Sequence, residues 1–108
     1  VNIRQEDSKS GVLPEDALTL AKQITALPAL QLRGLMAIPA ASDDRAEQRA
    51  AFAALRALRD TLQQALPDQT LDTLSMGMSG DMDAAIAEGS TLIRIGTALF
   101  GPRPAKAE

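Results

Sequence analysis

An arginine interrupts an apolar stretch near the end of the chain, Leu92-Ile93-Arg94-Ile95. The stretch predicts a buried β-strand, in which alternate side chains face opposite sides, so Arg94 shares a side with Leu92 and Gly96. A guanidinium is costly to bury without an acceptor. Arg94 is therefore either half of a structural ion pair or a guanidinium that points into a ligand cavity, and the strand alone does not distinguish the two.

Small and hydroxyl-bearing residues follow two neighbouring predicted strands. Gly96 and Thr97 open a helix after one strand, and the run 75–80 (SMGMSG), which contains Ser79, precedes another helix. Ser79 taken alone is an ordinary helix N-cap. Together, bare N–H groups, hydroxyls and a helix dipole predict an anion site at Gly96 and Thr97, with Ser79 close by.

Other side chains carry weaker chemical signals. Met36 lies near the end of a predicted strand, where it is either core or part of a pocket wall. Lys9 lies in a polar loop with no pocket to lower the pKa of its amine, and Lys22 and Lys106 are typical of solvated surface. The carboxylates, such as Asp81, lie mostly at helix starts, and no pair stands out as acid and base.

The elements that must position these residues alternate along the chain. Helical spacing predicts helices from Pro14 to Pro28, from the polar residues 42–44 to Pro67 and over 81–88, and a last helical turn over 96–100. In the helix over 81–88, the inward-facing residues are predicted to be Met82, Ala85 and Ile86. Apolar runs predict strands ending at Ile3 and over 30–38, 70–76 and 91–95. This order predicts an α/β fold with parallel strands and right-handed crossovers.

Two architectures fit four such units: a small open sheet, or half of an eight-stranded (β/α)8 barrel. Periodicity alone does not separate them. In barrel enzymes the loops after strands seven and eight form the usual phosphate site. If the two glycine-hydroxyl turns are these loops, the chain begins at strand five.

Composition excludes several classes of function. The 108 residues contain no Cys, His, Trp or Tyr, so zinc sites, thiol nucleophiles, disulfides and histidine-based triads are absent from this chain. The net charge of -3 argues against nucleic acid as a partner. No apolar run is long enough to predict a membrane span.

One long motif is specific. The string 74–101, LSMGMSGDMDAAIAEGSTLIRIGTALFG, closely resembles the signature of the pyridoxal-phosphate homeostasis proteins. The segments around Lys9-Ser10-Gly11-Val12 and Gly34-Leu35-Met36 fit the same family in order and spacing. That family is similar to the barrel domain of bacterial alanine racemase, which implies that this chain is the C-terminal half, strands five to eight, of a single cytoplasmic barrel.

The resemblance implies a role for each matching residue. Ser79, Gly96 and Thr97 would hold the phosphate of pyridoxal 5'-phosphate (PLP), Arg94 would face its pyridine nitrogen, and Met36 would line the pocket. The family's Schiff-base lysine lies upstream of Val1, and none of Lys9, Lys22 and Lys106 matches its position.

Three hypotheses follow for function. The first is half of a PLP carrier that buffers the cofactor inside the cell without catalysing a reaction. The second is half of a PLP-dependent racemase- or decarboxylase-like enzyme, whose acid or base must come from elsewhere. The third is a scaffold that has lost its site. In each case a half barrel predicts a partner, either the N-terminal half or a second copy of the chain.

Overall fold

The alternating helices and strands appear in the computed structural model, which describes residues 1–4, 7, 10–102 and 104. A 3-10 turn at Pro14–Asp16 leads into the first helix. The elements that follow are α1 (Ala17–Thr25), β1 (Gly34–Met36), α2 (Arg45–Ala65), β2 (Thr73–Met78), α3 (Met82–Ala87), β3 (Leu92–Arg94) and α4 (Thr97–Phe100).

The strands form one parallel sheet in the order β1-β2-β3. Gly34 pairs with Thr73, and Arg94 pairs with Met78. The Ser90 hydroxyl donates to the Met76 carbonyl at 2.6 Å and so joins the segment before β3 to β2. Parallel strands linked by helices confirm the predicted α/β class.

The expected strand ending at Ile3 is absent from the strands of the described chain. The main-chain nitrogen of Val1 donates to the Met36 carbonyl at 2.7 Å, but the N–H of Asn2 turns away to Val12 at 2.8 Å. A parallel ladder needs successive bonds to the same neighbour. This segment therefore lies beside β1 without forming a strand.

The strand predicted over 30–38 is also shorter than its apolar run, because only Gly34–Met36 pairs with β2 as a strand. Just before β1 and β2, Arg33 donates to Asp72 through Nε at 3.1 Å and Nη2 at 2.7 Å. This exposed pair holds the pKa of the Asp72 carboxyl below its ordinary value. It closes the amino ends of the two strands, away from the predicted phosphate site.

Helices cover one face of the sheet. Leu74 and Met76 of β2 are fully buried against Phe52 and Leu55 of α2 and Ala85 of α3. A second cluster joins α1 to α2 through Ala17, Leu62 and Leu71, with Leu35 of β1 packed against both clusters. The core is thus aliphatic apart from Phe52.

The start of α2 is capped by a side chain. Asp44 is the N-cap, and its carboxylate accepts from the N–H of Ala46 at 2.9 Å. Glu47 does not return a bond to the Asp44 N–H, as a capping box requires. It instead accepts from the Ser42 hydroxyl at 2.8 Å, and that same hydroxyl accepts the Asp44 N–H.

The inner face of α3 differs from the prediction. Ala84 and Ala85 are buried, whereas Ile86 is 55% exposed. A buried carboxylate replaces the expected apolar contact: Glu88 accepts from Arg49 at 2.7 Å and Arg56 at 3.3 Å, both on α2. Because these ion pairs hold the end of α3 against α2, the helix needs only its alanines in the core.

Within the described part of the chain, no helix is both long and apolar enough to cross a membrane.

Candidate functional site

The candidate site lies on the sheet face opposite the helices. Ile93 of β3 points toward α3, since a Cβ added at Gly77 would lie 3.2 Å from Ile93 Cγ2 and 2.6 Å from Ala85 Cβ. Strand alternation therefore turns Arg94 to the other face. Met36 shares that face, because its neighbour Leu35 packs into the core on the helix side.

Arg94 brings two unused hydrogen-bond donors to this face. Its Nε and Nη2 atoms are buried and have no hydrogen-bond partner among the described residues. The structural ion pair considered from the sequence is therefore not formed with any described residue. Since a guanidinium only donates, the geometry calls for an acceptor at this point.

A β-bulge redirects the end of β2. Ser75 pairs with Leu92 while Met78 pairs with Arg94, so two steps on β3 face three on β2. Gly77 supplies the extra residue with φ of 103°, a conformation that side-chain-bearing residues rarely adopt. The strand predicted over 70–76 ends before Gly77, but β2 extends through the bulge to Met78.

The turn after β2 brings Ser79 to the start of α4. The Asp81 carboxylate accepts from the Met78 N–H at 2.7 Å, and the Asp81 N–H donates to the Met78 carbonyl at 3.3 Å. Ser79, held within this turn, accepts from the N–H of Ala98 at 3.1 Å. Ser79 thus caps α4 rather than its own following helix, and its hydroxyl proton has no acceptor among the described residues.

Gly96 is the N-cap of α4 and its side is open, since an added Cβ there would meet nothing within 4 Å. Its carbonyl accepts from Phe100 at 2.7 Å and Leu99 at 3.0 Å. Thr97, the first helical residue, is exposed. The two predicted turns are therefore neighbours in the structure, and Arg94 lies directly before one and across the ladder from the other.

Met36 is 46% exposed and belongs to β1, with β2 between it and β3. Its partner Ser75 pairs in turn with Leu92, so Met36 lies about 10 Å from Leu92 by strand spacing and further from Arg94, which is two residues along β3. Met36 and Arg94 are therefore too far apart for contact. Lys22 is exposed on α1. Lys9 and Lys106 lie outside the described residues.

A cavity of about 340 Å³ opens where β1 and β2 end, lined by Ile38, Pro39, Gln48, Met78 and Asp81 among others. A smaller, more polar cleft beside it is lined by Ser79, Asp81 and Asp83. Arg94, Gly96 and Thr97 line neither. Of the predicted site residues, Ser79 lines the cleft and the others lie outside both cavities.

Asp81 is the residue of this region whose contact the sequence did not reveal. Its position two residues after Ser79 suggested a helix-start charge, and it is indeed the N-cap of α3. No motif or periodicity marks this contact, which lies directly after the bulge at Gly77.

Proteins with similar sequences carry the name of the family that the motif over 74–101 resembles. A pyridoxal phosphate homeostasis protein of Pasteurella multocida is 60% identical over 103 residues, which cover 95% of this chain and 44% of that protein. The Escherichia coli K12 protein of the same name is 47% identical, with 95% and 43% covered. The chain thus spans less than half the length of these relatives, and their name confirms the resemblance seen in the sequence.

Solved structures agree with the sequences. PipY of Synechococcus elongatus with PLP bound superposes with a TM-score of 0.78 at 43% identity, covering 87% of this chain and 44% of that one. The same protein without PLP gives a TM-score of 0.79. The family model for the alanine racemase N-terminal domain matches residues 1–104. This chain therefore belongs to the alanine racemase N-terminal domain family.

Proposed function

We propose that this chain forms the phosphate and pyridine-nitrogen side of a PLP site, in a protein that carries and buffers the cofactor. The observation that carries the proposal is the guanidinium of Arg94, whose Nε and Nη2 are buried without an acceptor. The name of the sequence relatives and the PLP-bound PipY structure support PLP as the ligand.

The chemistry of Arg94 fits a carrier. Bound PLP supplies a reactive aldehyde and a pyridine ring that can act as an electron sink. A guanidinium stays protonated and can only donate, so it bonds a pyridine nitrogen that carries no proton. The unprotonated ring is a weaker electron sink, which suits retention of the cofactor better than catalysis.

The two neighbouring turns, after β2 and after β3, bind the phosphate in this proposal. The Ser79 hydroxyl has a proton to donate, because the oxygen already accepts from Ala98 at 3.1 Å. The open side of Gly96 admits a phosphate close to the main chain, and Thr97 adds a second hydroxyl. Met36 forms part of the wall on the far strand.

The remainder of the site belongs to a barrel half that this chain does not contain. We propose that residues 1–108 are strands five to eight, and that the covalent lysine lies in the preceding half. Leu92, at 53%, and Met36, at 46%, are exposed on the helix-free face, as expected for a surface that the other half covers. Light scattering should show association with that half or with a second copy, and a cooperatively unfolding monomer of the chain alone would contradict this.

Titration with PLP tests the site itself. Thr97→Ala and Ser79→Ala should each weaken binding by about 1–3 kcal/mol, since each removes a hydrogen bond to a charged oxygen. Pyridoxal, which lacks the phosphate, is the control ligand and should bind both variants as it binds the parent. Unchanged PLP affinity in both variants would refute the assignment.

The family model itself favours a second candidate, half of a racemase- or decarboxylase-like enzyme. Such an enzyme needs a proton donor or acceptor beside the cofactor, and this chain has no Tyr, Cys or His to provide one. Incubation of the complete protein with amino acids separates the two candidates. Racemisation or decarboxylation would favour the enzyme, and neither is expected from a carrier.

A further inference from the structure

We propose that Asp81 is a positioning residue for the phosphate side of the site: its carboxylate holds the Met78–Asp81 turn so that the Ser79 hydroxyl faces the start of α4. The inference rests on the proposed function, because it assigns to Asp81 the placement of a group that would bind the phosphate.

The Asp81 side chain forms its hydrogen bond in an unusual direction for a helix N-cap. An aspartate at a helix N-cap ordinarily accepts from an N–H in the first turn of its own helix. Asp81 is the N-cap of α3, yet its side chain makes no such bond. It bonds backward instead, accepting the Met78 N–H at 2.7 Å.

That bond bridges the turn on which Ser79 lies. The Asp81 N–H also donates to the Met78 carbonyl at 3.3 Å, so side chain and main chain both tie Asp81 to Met78. Ser79 lies between the two tied residues, and its hydroxyl reaches across to the N–H of Ala98 at 3.1 Å. Gly80, within this turn, adds little stiffness of its own. The shorter of the two bonds, to the carboxylate, therefore restricts the turn most.

The charge of Asp81 works against a direct contact with phosphate, because two anions repel each other. Its contribution must therefore come from the geometry of the accepted hydrogen bond. Asparagine offers the same acceptor without the charge. Asp81→Asn should then preserve PLP binding, whereas Asp81→Ala should reduce it.

The test compares PLP with pyridoxal in the complete protein. Asp81→Ala should bind PLP about tenfold more weakly, the equivalent of one lost hydrogen bond, and pyridoxal within about twofold of the parent. Asp81→Glu keeps the charge but displaces the acceptor, so it should show the same selective loss. Asp81→Asn should stay within about twofold for both ligands.

Asp68→Ala is the matched control, since Asp68 is an exposed acid in the connection between α2 and β2, before the amino end of β2. It should leave both affinities unchanged. The proposal is overturned if Asp81→Ala and Asp81→Glu retain PLP affinity, or if they lose PLP and pyridoxal equally. Thr97→Ala in the same series distinguishes failure of the phosphate site from failure of the role of Asp81. If Thr97→Ala retains PLP affinity, the phosphate site itself is refuted. If Thr97→Ala loses PLP affinity while the Asp81 variants retain it, only the role of Asp81 is refuted.

Discussion

Replacing Arg94 with methionine should stabilise the ligand-free protein while it impairs PLP binding. Methionine keeps an unbranched side chain of similar reach and carries no donor that needs a partner. In the parent, Nε and Nη2 are buried without an acceptor. An unsatisfied buried polar group costs about 1–3 kcal/mol.

The lower end of that range applies to each nitrogen, because Arg94 as a whole is only partly buried and water reaches the rest of the side chain. The two nitrogens together give an expected gain of about 2 kcal/mol in the free energy of unfolding of Arg94→Met. Saturating PLP should reverse the order. At about 100 times its Kd the ligand adds roughly 2.7 kcal/mol to the parent, and it should add far less to the variant.

Urea unfolding with and without PLP measures both effects, at one protein concentration and with the assembly state checked by light scattering. Arg49→Met is the control, because Arg49 has a partner: it donates to the buried Glu88 at 2.7 Å. Its loss should lower stability in either condition. If Arg94→Met is less stable than the parent without ligand, the unpaired guanidinium of Arg94 does not destabilise the ligand-free chain, and this interpretation is refuted.

Three further substitutions test the elements that support the site. Glu88→Ala should lower the free energy of unfolding by about 2 kcal/mol in chemical denaturation, because it removes a buried carboxylate whose half-exposed arginine partners then regain water. A cost below about 0.5 kcal/mol would contradict this role of Glu88. Gly77→Ala should lower the free energy of unfolding by about 2–4 kcal/mol in the same assay, because φ is 103° and the new methyl would lie 2.6 Å from Ala85 Cβ. An unchanged stability would contradict the bulged conformation of Gly77. Asp72 has a lowered pKa in the folded chain, so its pair with Arg33 stabilises above the ordinary carboxyl pKa and is lost as pH falls through the lowered value. Asp72→Asn should therefore flatten the fall in stability as the pH drops below the ordinary carboxyl pKa, and an unchanged pH profile would contradict the pairing.

The helices were predictable because their signals are local. Asp44 marks the start of α2 by its own side chain, and Pro67 follows just beyond its end. Gly89 follows α3 with φ of 96°, which is the conformation expected after a helix. Each of these features depends on residues within one or two turns of the chain.

Strand limits were not predictable in the same way, because they depend on partners distant in sequence. The apolar run over 30–38 contains only three residues that pair with β2. Ile86 has the spacing of a core residue but is exposed, since Glu88 and its arginines attach that end of α3 to α2. A buried ion pair between residues 39 apart leaves no periodic signal in the sequence.

For the candidate site, the residue types were predictable and their contacts were not. Arg94 in an apolar strand and hydroxyls beside glycines indicated an anion site from chemistry alone. The Ser79 hydroxyl accepts from Ala98, 19 residues away, a contact that depends on how β2 and β3 pair and on the bulge in that pairing.

Reductive trapping of PLP on the chain tests most directly whether it holds the cofactor through phosphate and ring contacts while the covalent lysine lies elsewhere. The chain is incubated with PLP, reduced with borohydride and mapped by peptide mass spectrometry, in the parent and in Arg94→Ala. We expect partial adducts that are scattered over Lys9, Lys22 and Lys106 and are insensitive to Arg94. Stoichiometric modification of a single one of these lysines, abolished by Arg94→Ala, would show that the chain contains its own covalent site and would contradict the account.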